Sequence, residues 1–246
     1  MNCSVPVLAN LQAFDPILLP ETAYDGHNTE PLQLYGPGKL HPTHLGDAIG
    51  PAEAPNRFRI VAKLDHSNHS TSWLARDGLN DTWRRVDFLT GSPDIGRNKA
   101  ESMTLSIQTY RAAPGADIAR ADAKGVPLEM FTIAGPNGKH SVVVFPLNGD
   151  FNCFRWGIEP DLDEVEMNET WFVAKCTKLR QTQGCAGPVS IHEITEQEIL
   201  QILGRPNVIM VTNTLFNDFV VDSDIRRNQV PVYLVERPER ITIDKG

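Results

Sequence analysis

Two histidine pairs, His41-x-x-His44 and His66-x-x-His69, have a spacing that metal ligands can use. Neither is completed by a cysteine or carboxylate in a recognisable zinc pattern, and both stretches read as turns, so no metal is expected there. The four cysteines, at 3, 153, 176 and 185, form no C-x-x-C and are too sparse for a disulfide framework. They read as buried or half-buried thiols in a reducing compartment. Lys39 follows Gly38, but position 33 is not glycine and Leu40 stands where a phosphate-binding loop needs Ser or Thr. No G-x-S-x-G elbow and no G-x-G-x-x-G after a strand occur, which sets aside a serine hydrolase and a dinucleotide fold. The stretch that organises the chain is Lys63–Asp77, KLDHSNHSTSWLARD: two strand-like runs joined by a tight polar turn.

The elements around it follow from pattern and punctuation. Phe58–Leu64, Ser70–Ala75 and Trp83–Leu89 read as strands, with Asp77-Gly78-Leu79-Asn80-Asp81 turning between the last two. Asn98–Tyr110 reads as a helix, with Met103, Leu105, Ile107 and Tyr110 as its apolar members, ended by Pro114-Gly115. Val126–Ile133 and Ser141–Phe145 form a hairpin across Gly135-Pro136-Asn137-Gly138. Beyond Leu147 the pattern weakens; Asn168–Gln181 can be read as a helix, with Asn168 as its cap and Gly184 as its stop. Thr195–Leu203 is the clearest helix: Thr195 and Glu198 make a capping box, Ile194 and Ile199 a hydrophobic staple, and Gly204 and Pro206 end it. Val208–Val211 and Pro231–Glu236 are further apolar runs, and residues 1–34 read as a loose leader.

Composition bounds the function. The chain has 246 residues, 41% hydrophobic, with a formal net charge of −8 from 23 basic and 31 acidic side chains. That supplies a sizeable core and disfavours a nucleic-acid or anionic-membrane surface, which needs a basic face. No apolar run approaches the roughly 20 residues of a membrane span, and the opening MNCSVPVLANLQ lacks the make-up of a secretory signal. An intracellular protein, in cytoplasm or nucleus, is expected. In that setting Asn68-His69-Ser70 is a chance glycosylation triplet.

KLDHSNHSTSWLARD resembles the glycine-rich loop and second strand of fungal protein kinases of the SR-protein-kinase type, where the wording is close to KLGHGGFSTVWLARD. Upstream, YGPGKLHPTHLGD at residues 35–47 resembles the Y-x-P-G-G-Y-H-P-x-x-x-G-D arm that precedes the kinase domain in that family. FTIAGPNGKHSVVVFPL resembles its fourth and fifth strands and hinge, and TEQEILQILGRP resembles its S-x-E-E-L-x-x-L-L-G-x-P insertion. The resemblance implies an α+β, protein-kinase-like fold. A small lobe with its arm over 35–147 would hold an antiparallel sheet and one helix, and an incomplete helical large lobe would follow over 148–246.

It also implies where chemistry should sit, and there the residues differ. Kinases position ATP and magnesium and neutralise phosphate charge. Asp65, Ser67 and Asn68 stand at glycine positions of the loop, and Ser72 stands where a valine is expected. Asp87 occupies the strand lysine that pairs with phosphates, and Glu101 matches its helix glutamate partner. The loop H-G-D-x-x-x-x-N has no counterpart between Gly187 and His192, and Asp244-Lys245-Gly246 only echoes the magnesium-binding D-F-G. Asp218-Phe219-Val220, out of order, reads as a loop. ATP and magnesium are therefore implied by the family alone, and no cofactor is expected. The leading expectation is a catalytically silent kinase-like protein that binds a protein partner. The alternatives are an active ATP-dependent Ser/Thr kinase, or a shortened gene product without stable function.

Overall fold

The structure is a computed structural model that describes residues 4–25, 28–92, 95–112, 126–147, 169–184, 189–220 and 225–236. In chain order these form α1 (Ser4–Gln12), β1 (Ile17–Leu19), β2 (Ala48–Ile49), β3 (Phe58–Ser67), β4 (Ser70–Asp77), β5 (Thr82–Leu89) and α2 (Ile95–Ala112). Then come β6 (Glu129–Gly135), β7 (Gly138–Pro146), α3 (Glu169–Thr182), α4 (Glu196–Leu203), β8 (Asn207–Met210), α5 (Asn213–Phe219) and β9 (Tyr233–Val235).

Turn chemistry builds the main sheet, whose order is β2-β3-β4-β5-β7-β6, antiparallel throughout. Asn68 and His69 are the whole loop between β3 and β4, because Ser67 pairs with Ser70. Pro136 and Asn137 likewise join β6 to β7, and Gly138 takes a φ of +116° that a side chain would resist. Asp81 closes the β4–β5 turn at φ +49°. Asp77 ties the same turn down by accepting from the backbone of Leu79 and Asn80 and from Arg57. The five long strands expected from the sequence thus lie in one antiparallel sheet, and α2 packs on one face through Ala100 and Met103 against Leu89, Val143 and Phe145.

The other face is covered by the rest of the chain. Phe58, Ile60, Trp73, Trp83, Val86, Phe88, Val142 and Val144 form one core with Phe172 and Cys176 of α3, Ile194 and Ile199 at α4, and Val208, Tyr233 and Val235. Burying side chains of this size contributes about 1.5–3 kcal/mol each. The Trp83 indole N–H donates to the Ile194 carbonyl at 2.8 Å, so its polar edge is satisfied inside that core. The capping box is present as expected: Thr195 Oγ1 accepts from the Glu198 N–H, and the Glu198 carboxylate accepts from the Thr195 N–H.

Three features depart from the expectations. Residues read as a loose leader contain α1 and β1, and they place Leu11 and Phe14 in the main core. β1 pairs in parallel with β8, which pairs antiparallel with β9, so a second three-stranded sheet joins both ends of the described chain. Asp218 and Phe219 are helical, at the end of α5, whose Thr212 cap accepts from the Leu215 N–H.

Candidate functional site

The β3–β4 hairpin positions the loop residues. Asp65 is exposed at an irregularity of register between Lys63 and Asp65, and pairs with buried Ser72. Asn68 is exposed at the turn. Ser67 Oγ accepts the N–H groups of His69 (3.2 Å) and Ser70 (3.1 Å) and lies 3.0 Å from Ser70 Oγ. A glycine-rich loop works by leaving backbone exposed to phosphate; here a serine hydroxyl engages two of the turn's amides from within.

Asp87 lies on β5 opposite Ser72 on one side and Val143 on the other, and is only 2% exposed. Residues i and i+2 of a strand share a face, and Arg85 uses that geometry. Its Nε donates to Oδ1 at 2.7 Å and its Nη2 to Oδ2 at 2.5 Å, a bidentate grip. The Arg85 guanidinium also lies 4.9 Å from the centre of the Phe145 ring. Asp87 is thus charge-compensated within its own strand.

Glu101 is exposed on α2 and lines a shallow cleft of about 300 Å³ with Thr90, Ser92, Thr104, Lys139 and Ser141. Ser72 and Asp87 meet as β4–β5 neighbours, whereas Glu101 belongs to this outer cleft. Asp244 lies outside the described residues. Among the described residues no group of three or more His, Cys, Asp or Glu side chains is arranged to hold a metal, and no helix is long and apolar enough to cross a membrane.

Sequence reasoning missed one ionic centre beside the hairpin. Lys63 of β3, 1% exposed, is ion-paired with buried Glu30 and donates to the Val235 carbonyl at 2.9 Å. Its ammonium lies 5.9 Å from the Trp73 ring. The signal in the sequence was a lysine inside an apolar strand, FRIVAKL. The carboxylate came from a segment that showed no pattern.

No family model matches the chain. It is 31% identical over 131 residues to the serine/threonine-protein kinase SKY1 of Saccharomyces cerevisiae, covering 51% of this chain and 17% of that protein. Serine/threonine-protein kinases spk-1 of Caenorhabditis briggsae and Caenorhabditis elegans are each 26% identical, over 127 and 125 residues, covering 51% of this chain and 10% and 12% of theirs. The chain thus spans less than a fifth of the length of these relatives. A crystallised kinase domain superposes with a TM-score of 0.30 at 13% identity, over 42% of this chain and 26% of that one, too slight a likeness to argue from. About half of the chain is therefore related in sequence to Ser/Thr protein kinases, as the motif resemblance implied.

Proposed function

We propose that this chain is a catalytically silent relative of the SR-protein kinases, with no phosphoryl-transfer activity, that acts by binding a protein partner inside the cell. The observation that carries this reading is Asp87. Where the family places a cation for the phosphates, this chain has a buried carboxylate clasped by Arg85. A like charge at about 4 Å would itself cost on the order of 4 kcal/mol at an effective dielectric near 20, over and above the attraction lost. The Ser67 hydroxyl occupying two turn amides supports the same reading, as does the absence of an H-G-D-x-x-x-x-N run before His192. The net charge of −8 favours a protein over nucleic acid or an anionic membrane as partner, and the wording of the arm and hairpin favours a fungal lineage.

The test is a thermal-shift titration with Mg-ATP alongside transfer of labelled phosphate to an Arg-Ser-rich peptide. A ligand held only by the folded state adds about 2.7 kcal/mol at a hundredfold excess over its Kd, so binding is easily seen. We expect no saturable rise and no label on the peptide. A saturable rise without transfer would restrict the proposal to loss of catalysis. Transfer of label would overturn it in favour of an active ATP-dependent kinase.

A further inference from the structure

The segment from Gly36 to His44 crosses the hairpin ends of the main sheet, and histidines hold it there. The His41 ring stacks on Phe88, centres 5.5 Å apart and planes at 20°, and meets the edge of His140 at 5.1 Å. A Cβ on Gly135 would come within 2.6 Å of His41 Nε2, so the ring lies directly on the β6 backbone. His41 Nδ1 is 3.2 Å from Thr43 Oγ1. His140 is fully buried; its Nδ1 lies 3.2 Å from the Leu89 carbonyl oxygen, and its Nε2 is buried without a hydrogen-bond partner. His44 Nε2 accepts the Val232 N–H at 3.0 Å, which leaves the proton on Nδ1, 3.6 Å from Asp47 Oδ2. The geometry therefore suits neutral rings at His41 and His140.

We infer that this arm is an acid-released clasp: protonation of its seating histidines frees residues 36–44 while the main sheet stays folded. The charged or titratable groups around His41 are His140 from β7 and His44 and Asp47 from the arm itself. Phe88 of β5 and Gly135 of β6 bring no charge. A proton on His140 Nε2 would be buried without an acceptor. Burial, with His140 adding to it, pushes His41 down from 6.5 to about 3, and burial lowers His140 as well. For a base held low in the closed form, the advantage of closure is complete above pH 6.5 and is lost as pH falls towards 3. His41 alone raises the open population about thirtyfold at pH 5 relative to pH 7.5.

Opening would break the bonds from Gly38 N–H to the Asn137 carbonyl (2.7 Å), from Gly91 N–H to the Lys39 carbonyl (3.1 Å) and from Thr90 Oγ1 to the Gly38 carbonyl (3.0 Å). Amide hydrogen exchange on the full chain, corrected for the intrinsic effect of pH, reads this directly. At pH 5.0 the protection of Gly38 and Gly91 should fall at least tenfold relative to pH 7.5, with Val86 and Val143 in the central strands unchanged. His41→Phe keeps the stack on Phe88 without a titrating nitrogen, and should cut that fall to less than a third. An undiminished fall in His41→Phe would overturn the proposal. Should that variant not fold, the parent chain decides: constant arm protection, or loss in parallel with Val86 and Val143, overturns it, and selective loss sustains it.

Discussion

Under the proposal that Asp87 stands at the family's lysine, a lysine there is the natural repair, and the Arg85 clasp makes that change costly on its own. Asp87→Lys would set an ammonium beside the Arg85 guanidinium on the same strand face. Removing one member of a buried ion pair costs about 3–5 kcal/mol, and like charge adds to it. Urea unfolding should show Asp87→Lys at least about 3 kcal/mol less stable, with part regained in Arg85→Ala/Asp87→Lys. A single variant as stable as the parent would mean that the clasp contributes little. Both variants place an ammonium at position 87 with no carboxylate of that residue to clasp it, so restored Mg-ATP binding is to be sought in each. That Asp87 stands where the family wording has a lysine is an expectation from the sequence. Arg85 as its neutralising partner was not legible there, although R-x-D within a strand carries the needed two-residue period.

Helices in this chain depend on their ends. Thr195→Ala removes the α4 cap and should cost about 1 kcal/mol, visible as a lower melting temperature. Glu198 takes part in the same box, and the Arg180 guanidinium hydrogen-bonded to it holds its carboxyl at about 2, with Thr195 and Cys176 adding to that. A carboxylate held below its ordinary 4.5 stabilises fully above that value and stops contributing as pH falls towards 2. Solvent screening keeps the contribution near 1 kcal/mol. Glu198→Gln should therefore flatten the stability profile between pH 4.5 and 2 relative to the parent. This box was legible because S/T-x-x-E before an apolar run is a local code, and the hairpins were legible because their turns are local too. α5 was not: NTLFNDF is seven residues long, and its apolar members Leu215, Phe216 and Phe219 are too few to establish a period. β1 is three residues long, and its partner lies far along the chain, so only tertiary pairing defines it.

The whole molecule is knitted from segments distant in sequence. Glu30 comes from the region expected to be loose, yet it faces Lys63 in a pocket closed by Val235. Glu30→Ala removes the carboxylate opposite a buried ammonium and should cost about 3 kcal/mol or more, measured by urea unfolding; a change under 1 kcal/mol would show the pair to be idle. Likewise residues 35–147 expressed alone should not fold cooperatively. That fragment lacks Phe172, Ile194, Ile199, Val208 and Tyr233, which cover one face of its sheet. A sharp thermal transition with native-like near-ultraviolet dichroism would refute this.

The parallel pairing of Ile17–Leu19 with Asn207–Ile209 has a consequence for how the protein is made. During synthesis, β1 leaves the ribosome with no strand to pair with. At about 5–20 residues per second, β8 follows on the order of 10–40 seconds later. Through that interval Ile17 and Leu18, already 41% and 63% exposed in the finished fold, lie on an unpaired edge while the apolar face of the main sheet awaits α3, α4 and β9. Non-local closure of this kind slows folding and lengthens the exposure of sticky surface. The newborn chain is therefore a natural client for chaperones that bind short apolar extended segments, and its soluble yield should rise when such a chaperone is in excess.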